Sequence, residues 1–367
     1  MEKKKILFID RDGTLIREPE DEQVDDLSKL SFVPGAIGAL SRIVSETDYR
    51  LVMVTNQDGL GTEAFPEETF WPAHRLMMDT FEGEGVRFDQ VLVDRSFPQD
   101  GSPGRKPRTG MVERYMNEYL DTENSYVIGD RRSDMELAAN MGLRGFFLGQ
   151  AQQVADLPQA EAVEGWQQIA RAVIRGARRA EVHRKTSETD VFVRLDLNGS
   201  GQERIDTGIG FFDHMLQQIA RHGGVDLTVE VKGDLHVDEH HTIEDTGIVL
   251  GECFARALGS KKGIERYGFA LPMDEARAEV LLDFGGRYAL QWDVPLSREY
   301  VGDFPTEMTR HFFDSFAQAA RANLHVKASG ENTHHVIEGV FKAFARAVKM
   351  AVNRTAGQGI PSSKGVI

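Results

Sequence analysis

Residues 5–14 read Lys-Ile-Leu-Phe-Ile-Asp-Arg-Asp-Gly-Thr. The apolar run at 5–9 is short and unbroken, the pattern of a strand buried on both faces. Asp10 and Asp12 follow it at i and i+2, and Gly13 permits a tight turn. Further runs of the same kind lie at Arg50–Val54, Gln90–Val93, Tyr126–Ile128 and Gly145–Leu148. Helical patterns fall between them, for example at Gly35–Val44 and Thr109–Tyr119. Strand–helix alternation predicts an α/β domain, a doubly wound parallel sheet with helices on both faces. Ligands bind such sheets at the carboxyl ends of the strands, where Asp10 and Asp12 fall.

Standing alone, two such acids are equally well read as an acidic turn. Other strands, however, end in matching chemistry. Val54-Thr55-Asn56-Gln57 brings a hydroxyl and amides. Arg105-Lys106-Pro107 brings cations, and Gly129-Asp130-Arg131-Arg132-Ser133-Asp134 brings further carboxylates. A nucleophilic acid, a neighbouring acid, a hydroxyl, a lysine and metal-holding acids are what phosphoryl transfer through an aspartyl-phosphate requires.

Over roughly residues 3–150 the chain resembles the haloacid-dehalogenase-like phosphatases. The resemblance implies Asp10 as nucleophile and Asp12 as general acid/base, with Thr55 and Lys106 as phosphate clamps. It implies Mg²⁺ held by Asp10, the Asp12 carbonyl and Asp130, with Asp134 in support, and Asn56 and Arg105 in phosphate or substrate contact. Similar phosphatases carry a zinc loop of three Cys and one His. The corresponding stretch here, Asp94 to Gly104, has none of the four, so no zinc is expected in this domain. No large cap insertion is evident, which predicts an open cleft and a small substrate.

The strand–helix alternation stops near Leu148. The expected division is a phosphatase domain at 1–165, with a linker from about 150, and a second domain at 166–367. In the second half, Val191–Leu197 alternates like a half-buried strand. A helix follows at Phe211–Arg221, a strand at Leu227–Val231 and a helix at His240–Leu258. The order recurs with strands at Ala278–Phe284 and Tyr288–Val294, a helix at Thr306–Arg321, a strand at Leu324–Lys327 and a helix at His334–Val352. The pattern predicts an α+β domain built from two β-β-α-β-α halves.

The two long helices open with one motif. His240-His241-Thr242-Ile243-Glu244 recurs as His334-His335-Val336-Ile337-Glu338. His240 and Glu244 stand at i and i+4 and share a helix face, while His241 points about 100° away. One helix can therefore serve two metal ions. Two histidines followed three residues on by an acid should occur about 0.05 times by chance in such a chain. The motif occurs twice, in matching repeat positions. His214 and His311 also correspond, giving six His and two Glu, or three His and one Glu per ion. Such N/O sites with open positions suit Mn²⁺.

From about residue 178 the chain resembles imidazoleglycerol-phosphate dehydratase. The marks are Thr207 to Leu216, His240 to Asp245, Leu271-Pro272-Met273-Asp274-Glu275 and Pro361-Ser362-Ser363-Lys364-Gly365. The resemblance implies two Mn²⁺ per active site acting as Lewis acids toward a substrate imidazole, with Glu188 as the acid/base. It implies Arg266, Arg287, Lys342, Ser362 and Lys364 as phosphate contacts, although the residues after Arg287 depart from the family pattern. It also implies a homo-oligomer of 24 subunits with metals between neighbours. A phosphatase joined ahead of this enzyme resembles the bifunctional proteins of histidine biosynthesis. Their substrates are small phosphorylated imidazoles, imidazoleglycerol phosphate and histidinol phosphate. The alternatives are a sugar bisphosphate as the first domain's substrate, or a first domain weakened by loss of its zinc ligands.

Composition agrees with this. At 367 residues, two domains are the prior expectation. A net charge of −15 argues against nucleic acid or an anionic membrane as partner. A single cysteine, Cys253, excludes an intramolecular disulfide. The four apolar residues before Asp10 are too few for a signal peptide, and no run of 18 apolar residues occurs. A cytoplasmic location is expected.

Overall fold

The computed structural model describes residues 3–117, 119–268, 271–354 and 359–367. The chain forms two compact units, Met1–Ala177 and Arg178–Ile367.

The first unit contains β1 (Ile6–Ile9), α1 (Ala36–Glu46), β2 (Arg50–Asn56), α2 (Glu67–Gly83), β3 (Gln90–Asp94), β4 (Tyr126–Gly129), α3 (Arg132–Asn140), β5 (Arg144–Phe147), β6 (Ala160–Ala162) and α4 (Trp166–Gly176). Its strands form one sheet in the order β3-β2-β1-β4-β5-β6, with every pair parallel. Alternate residues of β1 explain the unbroken apolar run. Leu7 and Ile9 face a core shared with α1, α2 and α4, while Ile6 and Phe8 face Val52, Val127, Leu137 and Ala138. The strand order turns back between β1 and β4, so the carboxyl end of β1 opens at the crevice such sheets use for ligands.

Two expectations need correction here. Residues 109–119 were expected to be helical, but among the described residues of this stretch only a 3₁₀ turn at Glu113–Tyr115 forms. The chain instead passes through three-residue turns and then pairs with Lys4, whose N donates to Tyr119 O and whose carbonyl accepts from Asp121 N. Tertiary pairing overrides local periodicity. The first unit also runs beyond residue 165. In α4, Trp166, Ile169, Ala170 and Val173 are buried in the first unit's core, and Trp166 Nε1 donates to Thr14 O at 2.8 Å. This helix is part of the first unit, and the division falls at Ala177/Arg178.

The second unit is a duplication. Its first half comprises β7 (Arg179–Lys185), β8 (Thr189–Asp196), β9 (Glu203–Asp206), α5 (Gly210–Gly223), β10 (Asp226–Gly233) and α6 (His240–Leu258). The second comprises β11 (Tyr267–Gly268), β12 (Leu271–Met273), β13 (Ala276–Asp283), β14 (Ala289–Asp293), β15 (Tyr300–Val301), β16 (Phe304–Pro305), α7 (Met308–Ala320), β17 (Asn323–Ser329) and α8 (Thr333–Val352). One sheet runs β7-β8-β10-β9. The other runs β11-β13-β17-β14, with β12 also on β13. β10 is antiparallel to β8 and parallel to β9, and β17 repeats this with β13 and β14. Each half opens with a strand that the expected β-β-α-β-α unit lacked. β7 buries only Ala180 and Val182 between charged residues, a weak apolar signal. The four helices share one core rich in phenylalanine, including Phe212, Phe254, Phe312, Phe316 and Phe344. Among the described residues no helix is long and apolar enough to cross a membrane.

Candidate active sites

In the first unit, Asp10 lies at the end of β1 and is buried. Lys106 Nζ is 2.7 Å from Asp10 Oδ1 and 2.7 Å from Asp134 Oδ1, and it donates to Val54 O at 2.9 Å. Asp10, Asp130 and Asp134 can bring one oxygen each within 4.8 Å of one another. Thr14 Oγ1 donates to Asp130 Oδ1 at 3.1 Å. Gly13 makes the approach possible. Its φ is +72°, and a Cβ there would lie 2.0 Å from Asp130 Oδ2.

Two buried carboxylates, Asp10 and Asp134, share Lys106, with half-buried Asp130 beside them, and the imbalance shows in the protonation of Asp10 and Asp130. Burial pushes Asp10 up to about 8, with Lys106 opposing and Asp134 and Asp130 adding to it. Burial, then Asp134, pushes Asp130 up to about 6. Burial would lower Lys106, but Asp10 and Asp134 outweigh it and hold it raised. A pocket of excess buried carboxylate binds protons or a hard cation, and an all-oxygen donor set fits Mg²⁺.

The remaining expected residues stand around this centre. Gln57 Nε2 donates to Thr55 Oγ1 at 2.9 Å and to Asp12 Oδ2 at 2.5 Å. Asn56 bonds both the carbonyl and the N–H of Lys106, so its side chain ties β2 to the lysine loop. Arg105 pairs with Asp58 and donates to Ser96 O at 2.6 Å. The loop without zinc ligands is pinned by Asp94, whose carboxylate accepts from Ser96 N at 3.0 Å, Ser96 Oγ and Ser102 Oγ at 2.8 Å.

In the second unit, the histidines and glutamates gather into two groups. His240, Glu244 and His311 form one, and His214, His334 and Glu338 the other. Each group takes its His-x-x-x-Glu pair from one half and its third residue from the other half, an exchange produced by the duplication. The helix starts are built alike: Asp238 Oδ1 accepts from His240 N at 2.9 Å, and Asn332 Oδ1 from His334 N at 3.0 Å. Burial would raise Glu338, but Lys342 at 2.9 Å, His214 and His334 hold it below the usual range.

His241 and His335 join neither group. His241 Nδ1 meets Asp234 Oδ2 at 3.1 Å and its Nε2 stands 3.8 Å from Glu188. His335 Nδ1 meets Glu275 Oε2 at 2.8 Å. These carboxylates raise both imidazoles. A carboxylate on one ring nitrogen is the usual support for a metal bound at the other. Each group offers two nitrogens and one oxygen, a donor set that fits a transition metal with positions to spare.

Arg266 binds Asp283 through Nε at 2.5 Å and Nη2 at 2.9 Å, and reaches Pro361 O at 3.0 Å. It thus adjoins the terminal loop bearing Ser362 and Lys364. A Cβ on Gly286, next to Arg287, would lie 2.9 Å from Ile367 C. Arg287 is exposed. Lys342 meets Glu338 and Met273 Sδ, at the second histidine group. Asp234, Glu275, Arg11 and Gln57 were not singled out from the sequence. Arg11, Gln57 and Glu275 lay within quoted stretches, but their contacts, like those of Asp234, depend on the fold.

The fold and these groups define a two-unit enzyme, a haloacid-dehalogenase-type hydrolase followed by a dehydratase-type lyase. The imidazoleglycerol-phosphate dehydratase family model matches residues 207–348, and a HAD-hydrolase-like model matches residues 104–163. The histidine biosynthesis bifunctional protein HisB of Bacteroides fragilis is 56% identical over 376 residues, covering 100% of both chains. That of Spirosoma linguale is 53% identical, covering 99% of this chain and 100% of its own. The crystal structure of imidazoleglycerol-phosphate dehydratase from Staphylococcus aureus is 37% identical, covers 48% of this chain and 99% of its own, and has a TM-score of 0.45. The chain belongs to the family of bifunctional histidine-biosynthesis proteins.

Proposed function

We propose that the first unit hydrolyses histidinol phosphate to histidinol and the second dehydrates imidazoleglycerol phosphate to imidazole acetol phosphate. The observation that carries this reading is the pairing, in one chain, of an Asp10–Lys106–Asp130 centre with two histidine–glutamate groups.

In the first unit Asp10 attacks phosphorus and the bond to the leaving oxygen breaks, with Asp12 giving that oxygen its proton. Water then attacks the aspartyl-phosphate, gives its proton to Asp12 and frees Asp10. Thr55 and Lys106 hold the phosphoryl oxygens, with Asn56 and Arg105 shaping the loop beside them. Mg²⁺ held by Asp10, the Asp12 carbonyl and Asp130, with Asp134 behind, supplies charge neutralisation. The Asp94 network takes the place of zinc in holding its loop.

In the second unit Glu188 removes the carbon-bound proton of the substrate, and hydroxide leaves to give an enol that becomes the ketone. Arg266, Arg287, Lys342, Ser362 and Lys364 bind the phosphate. Two Mn²⁺, held by His214, His240, His241, Glu244, His311, His334, His335 and Glu338, supply Lewis-acid stabilisation of negative charge on the imidazole. His241 and His335 stand apart from both groups within one chain. This supports a metal shell completed by a neighbouring subunit; an assembly of 24 chains and a cytoplasmic location belong to the same proposal.

Steady-state turnover of the full chain on imidazoleglycerol phosphate, histidinol phosphate and a heptose bisphosphate, with Mg²⁺ or Mn²⁺ added, tests this. Preference for the heptose bisphosphate overturns the phosphatase assignment. Stoichiometric Mn²⁺ without dehydration overturns the dehydratase assignment.

A further inference from the structure

Arg11, between the two motif acids, is fully buried. A buried guanidinium needs a reason, because it is costly unless paired. Its Nη1 is 2.6 Å from Asp12 Oδ1, its only ion pair among the described residues. Its Nε and Nη2 are buried without a hydrogen-bond partner among the described residues. The guanidinium lies 4.7 Å from the centre of the Phe70 ring, within reach of a cation–π contact. Phe70 also packs against Phe65 and Trp71, and against His74, stacked at 5.3 Å. Burial, and then Arg11, push His74 down to about 4, so it adds no competing charge. The second oxygen of Asp12 is also taken. Gln57 Nε2 donates to Oδ2, and the same nitrogen is fixed by Thr55 Oγ1.

We propose that Arg11 and Gln57 are positioning residues that together fix the Asp12 carboxyl in the orientation for proton transfer to the leaving oxygen. Asp12 lies three residues beyond the end of β1, next to Gly13, and no other side chain among the described residues bonds its carboxyl. With one lone pair on each oxygen engaged, the other remains for the transferred proton. The inference rests on the aspartyl-phosphate reading of this site.

The step at stake is cleavage of the phosphorus–oxygen bond. Asp10 forms a bond to phosphorus, the leaving oxygen takes its electron pair, and that oxygen receives the Asp12 proton. An aliphatic alcohol such as histidinol needs that proton, whereas p-nitrophenolate leaves without it. General acid assistance is worth about 10²–10⁴-fold. Loss of orientation should therefore fall selectively on the aliphatic substrate.

The test uses the full chain and its Arg11→Met and Gln57→Met variants, with kcat/KM on histidinol phosphate and on p-nitrophenyl phosphate. That constant reports the leaving-group step rather than the later hydrolysis of the aspartyl-phosphate, which both substrates share. The expected result is that the ratio of the two constants falls at least about tenfold in each variant. An equal loss on both substrates, leaving the ratio unchanged, overturns the proposal and leaves the phosphatase reading intact. Parental turnover by full-length Asp10→Asn overturns both. Should Arg11→Met fail to fold, the Gln57→Met ratio alone decides, an unchanged ratio again overturning the proposal.

Discussion

Replacing Gly13 by alanine tests how the first site is assembled. Gly13 has a φ of +72°, which costs a residue with a Cβ about 1–2 kcal/mol. The added methyl would also lie 2.0 Å from Asp130 Oδ2 and 2.3 Å from its Cγ. Ordinary contact begins near 3.4 Å, so Asp130 must retreat by more than 1 Å and give up its bond from Thr14. The backbone cost alone lowers the melting point of a domain this size by about 2–8 °C. Displacement of a metal-holding acid by that distance costs on the order of 10²-fold in rate. The assay is histidinol phosphate hydrolysis against Mg²⁺ concentration, with dehydration by the same sample as an internal control. Phosphatase rate should fall about 10²-fold and the Mg²⁺ midpoint rise, while dehydration is retained. Gly13→Asn separates the two costs. Asparagine tolerates positive φ but carries the same Cβ, so it should lose as much activity as alanine with less loss of stability. A Gly13→Ala variant with parental rate and Mg²⁺ midpoint would refute the placement of Asp130.

Three further outcomes are expected. In metal-free protein the folded state holds protons on Asp10 and Asp130 that the unfolded state releases, so the first unit should lose stability as pH rises from about 4 to about 8. Mg²⁺ must displace those protons, so the rise in melting point that it produces should widen across the same window; a constant rise contradicts the protonation argument. Lys106→Met leaves Asp10 and Asp134 buried without their shared cation, which should destabilise the first unit by about 3–5 kcal/mol in urea unfolding at neutral pH; a loss under 1 kcal/mol contradicts the ion-pair account. Glu275→Gln weakens the support of His335 and should reduce Mn²⁺ affinity by about 10–100-fold in metal titration, unchanged affinity meaning that Glu275 does not orient that histidine.

The parallel sheet was legible because its strands are buried on both faces, so Ile6–Ile9 and residues 51–54 stand out as continuous apolar runs. The long helices were legible because His240–Leu258 and Thr333–Val352 carry strong amphipathic patterns and the same opening motif. Edge strands were not. β7 buries two small or branched residues among five polar ones. Residues 109–119 carry a helical pattern that pairing with Lys4 displaces. In the sites, strand-end acids and helix-borne histidines could be read by position, because strand ends and helix faces have fixed geometry. Asp234 and Glu275 could not, since their distance in sequence from His241 and His335 is set by the loops and hairpins between. Nothing in the sequence set Arg11 apart, and its burial against Phe70 is what distinguishes it.

The central claim is that one chain carries two separate active sites, each with its own carboxylate. The most direct measurement is turnover of both substrates by full-length Asp10→Asn and Glu188→Gln. The account predicts that Asp10→Asn loses histidinol phosphate hydrolysis and keeps dehydration, and that Glu188→Gln does the reverse. Parental phosphatase activity in Asp10→Asn, or loss of both activities from either single change, would contradict it.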